Sequence, residues 1–227
     1  MVKSCILNFS NGLGFQNGQE RLRETINQHS DGSYPFHFLF FREYSDIGGP
    51  HHLQLPYAFK FYSIKKALEM GYQNIFWLDS SMVSIKPAEA LFRHLDKVGY
   101  AITWSEYNIS QWTNDITLKY FNKSREYAEK LRLMYGGCMG FNTSAPKFGK
   151  FFEKYQKALP YLQGGWHNND LSQSKDPKCR GHRHDMSIIS LILNDMNMVD
   201  ESGTFFEYKH SDDSPYKEQT CFYAQGM

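Results

Sequence analysis

No run of about 18 apolar residues occurs in this 227-residue chain, so no bilayer-spanning segment is expected. An excess of either charge is also missing. The 25 Lys and Arg oppose 24 Asp and Glu for a net charge of +1, whereas a nucleic-acid backbone binder would carry a basic surplus. Cysteine is scarce: Cys5, Cys138, Cys179 and Cys221 form no CxxC pair. A structural zinc site gathers its ligands at short spacings, so reduced, buried thiols are expected instead. Neither a G-x-G-x-x-G fingerprint nor a P-loop GK[ST] occurs, which removes two common phosphate cradles. The opening residues hold too short an apolar stretch for a signal peptide, because Asn8 and Asn11 interrupt it, and a cytoplasmic protein is expected.

Hydrophobic residues make up 41% and charged residues 22%, the balance of a globular protein with a sizeable core. The unusual number is 16% aromatic, with 18 Phe and 15 Tyr. Much of that must be core, and rings placed in loops would suit stacking on bases or sugar faces.

Along the chain, Cys5 to Phe9 reads as a short buried strand, followed by a Gly/Asn loop from Asn11 to Gly18 and a helix from about Gln19 to Gln28. Pro35 to Phe41 is a second strand. A helix begins at Pro56, with Tyr57, Phe61, Ile64 and Leu68 on one stripe, and stops at Gly71. Asn74 to Leu78, apolar after its first residue, reads as a central strand covered on both faces. Helices are expected over Pro87 to Val98, Thr113 to Phe121, Ser124 to Leu131 and Ala145 to Leu159, the last with its stripe at Phe148, Phe152, Tyr155 and Leu159. Strands are expected at Tyr100 to Trp104 and Leu133 to Phe141. Gly164 to Gly181 lacks periodicity, and a long irregular stretch inside a domain is usually functional. Asp185 opens a nearly all-apolar helix, and short strands are expected at Thr204 to Tyr208 and Cys221 to Tyr223. This alternation predicts an α/β sandwich on a mostly parallel central sheet.

Four constellations could carry chemistry. Asp79, with Ser80 and Ser81, ends the Asn74–Leu78 strand, where open α/β sheets bind ligands; the alternative is a simple turn cap. Gly136, Gly137 and Gly140 interrupt a strand, which marks either a close ligand approach or a bulge near the sheet edge. Asp185 precedes its helix as a favoured N-cap, and a carboxylate there is also a workable base for an attacking hydroxyl. His182 and His184, two apart, form a weak metal-ligand pair. Trp112 and Trp166, with Asn114, Asp115, Asn168, Asn169 and Asp170, mix rings and polar groups as sugar sites do, or are ordinary packed tryptophans.

The segment Pro56 to Lys60, the helix ending at Gly71 and the Trp-Leu-Asp strand end resemble the nucleotide-sugar half of GT-A glycosyltransferases. The resemblance covers roughly residues 5 to 195. It implies a GT-A-like three-layer sandwich, one domain over 1–227, with a nucleotide-sugar-binding half at 1–104 and an acceptor half with a C-terminal tail at 105–227. In that family an Asp-X-Asp motif holds a divalent ion, manganese or magnesium, against the donor diphosphate. Asp79 matches the first carboxylate, but Ser81 stands in place of the second, which puts the metal in question. A Ser81 hydroxyl could instead hydrogen-bond the donor. Lys60 becomes a partner for donor phosphate, or else a solvated lysine. Asn8, Phe9 and Ser10 fall where the nucleotide base is contacted, and Ser80, Gly136 and Gly137 fall beside the donor. Asp185, with His184 second, would deprotonate the acceptor. The implied activity is transfer of a sugar from a nucleoside-diphosphate sugar, such as a UDP-sugar, to a hydroxyl acceptor on a carbohydrate. The competing readings are a metal-dependent phosphoesterase using Asp79, His182, His184 and Asp185, and a non-catalytic carbohydrate-binding protein. A nucleotidyltransferase would need a basic glycine-rich opening loop, which Gly12 to Gly18 does not supply.

Overall fold

Strand β1 (Ser4–Phe9) is buried along its whole length, the polar Ser4 and Asn8 included. The computed structural model describes residues 2–164, 173–199, 205–208, 213–214 and 217–226. Helix α1 (Leu13–His29) follows, six residues earlier than the glycines suggested. Gly12 turns the chain into it at φ 106°, and Gly18 is held inside it because a Cβ there would lie 2.4 Å from the Ser80 carbonyl oxygen. Packing thus overrides weak helix propensity. Strand β2 (His37–Phe41) and a single-turn α2 (Tyr44–Ile47) lead to α3 (Ala58–Glu69), which Gly71 terminates at φ 85°.

Strand β3 (Asn74–Leu78) and a short, unexpected β4 (Met82–Ser84) precede α4 (Glu89–Val98). Strand β5 (Tyr100–Asn108) runs four residues beyond its expected end and passes through a 3-10 turn at Ile109–Trp112. Helices α5 (Asp115–Tyr120) and α6 (Arg125–Ala128) are short, and β6 (Arg132–Asn142) is the longest strand. Helix α7 (Phe148–Ala158) buries Phe151 rather than the expected Phe152, and a 3-10 turn takes up Leu159–Leu162. Helix α8 (His184–Asp195) is buried from His184 through Leu193 except at the half-buried Met186. Strands β7 (Phe206–Glu207) and β8 (Phe222–Ala224) close the described chain, β7 within the expected tail segment.

The main sheet has the order β2-β1-β3-β6-β5. Strands β1, β2 and β3 pair in parallel, while β6 is antiparallel to both β3 and β5, so four of the five strands run one way. Side chains alternate between two apolar layers, as strand geometry dictates. Ile75 and Trp77 join α3, α7 and α8 on one side; Phe76 and Leu78 join α1 and α4 on the other. Opposite Phe76 the partner is Gly140, where a Cβ would lie 2.4 Å from the Phe76 ring. This glycine accommodates an aromatic core residue. Strands β4, β8 and β7 form a separate three-stranded sheet. Among the described residues no helix is long and apolar enough to cross a membrane. All four cysteines are buried and unpaired, as expected.

Candidate active site

The third residue of α3 is a lysine that solvent barely reaches. Lys60 is 2% exposed, and its Nζ donates to the Gly136 carbonyl at 2.7 Å. The same nitrogen lies 2.9 Å from Asp185 Oδ2 and 3.5 Å from Asp79 Oδ1, so one hydrogen bond and two ion pairs surround the ammonium. Tyr57 and Trp77 rings flank it at 5.6 and 5.5 Å. Burial on its own would lower the lysine's pKa, but the two carboxylates outweigh it and hold the ammonium above its ordinary range. The solvated-lysine reading is therefore replaced by a buried ion cluster.

Asp79 leaves β3 with its amide donating to the Gly137 carbonyl at 2.9 Å. Its Oδ1 accepts from Trp77 Nε1 at 2.7 Å, whereas Oδ2 has no hydrogen bond among the described residues and the side chain remains 37% exposed. Two carboxylates and one ammonium sum formally as −2 + 1 = −1, with the open oxygen at the mouth. The glycines of β6 make this packing possible. A Cβ on Gly136 would sit 2.8 Å from Asp185 Oδ2 and 3.1 Å from Lys60 Nζ; one on Gly137 would sit 2.9 Å from Asp79 Oδ2. The space the glycines open is filled by the ion cluster.

Asp185 is not the N-cap of α8. Arg183 occupies that position without a side-chain cap bond, and the aspartate, the second residue of the helix, directs its carboxylate onto Lys60. At 2% exposure its Oδ2 has the Lys60 ion pair as its one partner among the described residues, and no hydrogen bond to Oδ1 occurs among them. His184 adopts φ 46°, and its Nδ1 donates to the Leu162 carbonyl at 2.8 Å, which leaves Nε2 with the lone pair. Burial pushes its pKa below the ordinary histidine value. His182 is fully buried and pushed down to about 3 by the same desolvation. Its Nε2 donates to the Tyr161 carbonyl at 2.9 Å, and Nδ1 accepts from the Asn114 amide at 3.4 Å. With both nitrogens engaged, His182 is no metal ligand, and the two-histidine pair dissolves into main-chain contacts.

The remaining sequence candidates fall into two groups. Asn8, Ser10 and Ser80 are buried and bond one another: Asn8 Oδ1 accepts from Ser10 Oγ at 2.7 Å and from Gln19 Nε2 at 2.9 Å, while its amide donates to the Leu78 carbonyl. They knit the ends of β1 and β3 together beneath the site. Phe9 stacks on Phe59 at 5.1 Å and is likewise interior. Ser81, by contrast, is half-buried with no side-chain hydrogen bond. Asn114 caps α5, Asp115 pairs with Arg125, and Trp112 packs under Arg183, so these three serve the fold. Trp166, Asn168, Asn169 and Asp170 lie outside the described residues. Sequence reasoning missed Tyr57 and Trp77 at this cluster, although Tyr57 stands immediately before α3, three residues ahead of Lys60. An open cleft of about 550 Å³ lined by Asn108, Gln111, Glu129, Lys178 and Arg180 shares no residue with the cluster.

A divalent cation finds limited support in these side chains. No three His, Cys, Asp or Glu residues converge among the described residues, and Lys60 already stands between the two carboxylates. Asp79 Oδ2 remains as one open hard-oxygen ligand, so such an ion would fit only with its other ligands supplied by phosphate and water.

No family model matches the chain, and no curated protein matches its sequence. Its fold, however, is that of the GT-A glycosyltransferases. The crystal structure of mouse xyloside xylosyltransferase 1 superposes with a TM-score of 0.52 at 12% identity, covering 97% of each chain. The bifunctional glycosyltransferase WbbM gives 0.52 at 10% identity over 97% of this chain and 45% of its own.

Proposed function

We propose that this protein is a glycosyltransferase that moves a sugar from a nucleoside-diphosphate donor to a hydroxyl of a carbohydrate acceptor. The observation that carries this reading is the convergence of Asp79, Lys60 and Asp185 at the carboxyl end of β3, where open α/β sheets bind ligands. In this reading residues 1–104 hold the donor and 105–227 the acceptor.

Asp79 faces the donor diphosphate and would be the one protein ligand of a manganese or magnesium ion. Such an ion, when bound, neutralises charge on the leaving diphosphate. Lys60 acts through its charge, since its hydrogens already face protein acceptors: it offsets the carboxylates so that an anionic donor can approach. Asp185 Oδ1 receives the acceptor's proton if the transfer inverts the anomeric carbon, and positions a sugar hydroxyl if it retains it. His184 Nε2 is the next proton acceptor in line. The phosphoesterase reading needs several ligands around one or two metals, and His182 is instead committed to the main chain.

The test is thermal stabilisation by nucleoside diphosphates and their sugars, with and without manganese, followed by donor hydrolysis. A bound donor raises the melting temperature by linkage. Asp79→Asn should remove that rise while the fold persists, and Asp185→Asn should lower turnover about 10²–10⁴-fold. A protein stabilised by none of these donors would refute the proposal.

A further inference from the structure

Four non-glycine residues among those described have positive φ: Tyr57, Asn122, His184 and Asn197. Asparagine and histidine are among the residues that tolerate that region, whereas tyrosine enters it at a cost that the surroundings must impose. Two of the four meet. The Tyr57 and His184 rings stack with centroids 5.1 Å apart and planes at 24°, directly beside Lys60 and Asp185.

The Tyr57 ring is fixed from several directions. The Tyr57 amide donates to His52 Nδ1 at 3.2 Å, the His52 ring meets its edge at 4.9 Å, and Phe59 lies at 5.7 Å. Its hydroxyl is the exception: among the described residues no group bonds it, and it is not among the fully buried polar atoms. Burial, then the Asp185 charge, raise its pKa, so the hydroxyl keeps its proton. A rigid ring with one unused O–H donor, set beside carboxylates that can only accept, presents both halves of a hydrogen-bonding pattern. A polyol matches it, because every sugar hydroxyl both donates and accepts. A phosphate, which only accepts, could use the hydroxyl but would meet the carboxylate oxygens favourably only through an intervening cation.

We propose that Tyr57 is the hydrogen-bond donor that holds the transferred sugar of the donor substrate. This rests on the nucleotide-sugar reading above. Holding the ring by backbone strain and stacking fixes the hydroxyl before the substrate arrives, which is how a site gains orientation without ordering cost.

The test is calorimetric titration of the parent protein and Tyr57→Phe with UDP, GDP and ADP, and with UDP-glucose, GDP-mannose and ADP-glucose. Phenylalanine preserves the ring, so the melting temperature should stay within about 2 °C of the parent. The expected result is that affinity for the preferred nucleoside diphosphate is unchanged within about twofold, while affinity for its sugar conjugate falls about 10-fold. Unchanged affinity for the conjugate would overturn the assignment. Equal loss for nucleotide and conjugate would also overturn it, because the hydroxyl would then serve the diphosphate. A parent protein that binds no nucleotide and no conjugate would overturn the glycosyltransferase reading itself, and this inference with it.

Discussion

Replacing Lys60 by Met keeps the length and apolar stem of the side chain but deletes the ammonium at the centre of the site. Two partners then respond differently. Asp79, at 37% exposure, turns to water and loses little. Asp185, at 2%, is left as a buried carboxylate with no counter-charge. Breaking a buried pair from one side costs about 3–5 kcal/mol. The Gly136 carbonyl also loses its donor, for about 1–3 kcal/mol more. Against a typical total stability of about 5–15 kcal/mol, this variant should be barely folded. Lys60→Met combined with Asp185→Leu removes both charges and should recover most of the loss, giving a coupling of about 3 kcal/mol in a double-mutant cycle. Lys65→Met is the control, since Lys65 is 50% exposed in an i,i+4 pair, and should shift stability by no more than about 0.5 kcal/mol. Urea unfolding followed by circular dichroism measures the parent, these three variants and Asp185→Leu alone, which the cycle requires. A Lys60→Met variant within about 1 kcal/mol of the parent, or a coupling near zero, would refute the buried ion cluster.

Ser81→Asp restores a second carboxylate beside Asp79, and calorimetry should show manganese affinity raised at least about 10-fold over a parent that binds the free ion weakly; no gain would place residue 81 away from the cation. His182 has a folded pKa of about 3 against about 6.5 in an unfolded chain, so the unfolded state binds the extra proton. Its contribution is fully present above pH 6.5 and is lost as pH falls toward 3: about 2 kcal/mol between pH 7 and pH 5, with His184 adding in the same direction. Guanidinium unfolding of His182→Gln should show a shallower decline over that range, and an unchanged slope would count against the assignment. Gly18→Ala forces a Cβ against the Ser80 carbonyl and should cost about 1–3 kcal/mol, whereas Gly14→Ala meets nothing within 4 Å and should be neutral or stabilising.

Strand β3 and the position of Asp79 were legible because a fully buried strand announces itself in an unbroken apolar run. The two-layer burial of Ile75, Phe76, Trp77 and Leu78 follows from that run alone. Helix α1 was not legible at its start, since glycines at 12, 14 and 18 read as a loop until the Ser80 carbonyl is known to press against residue 18. Lys60 illustrates the larger gap. Periodicity places it beside an apolar stripe, but its burial depends on carboxylates 19 and 125 positions away, at Asp79 and Asp185. Asp185 misled in the other direction, because a local capping rule assigned its carboxylate to the nearest amides, whereas the tertiary fold supplied a stronger partner.

The placement of β6 between β3 and β5 has a consequence for the order of events during synthesis. Its residues, 132–142, are made after both neighbours, so the growing chain first displays the edges of β3 and β5 with their main-chain groups unpaired. Pairing that skips over earlier strands pays its loop-closure entropy late, and folding of such a sheet is slow. Asp185 arrives later still, more than 40 residues after β6 is complete. Lys60 therefore has no buried carboxylate partner until residue 185 has been made, although the Gly136 carbonyl is available earlier, and the ion cluster completes its charge balance only in that late step.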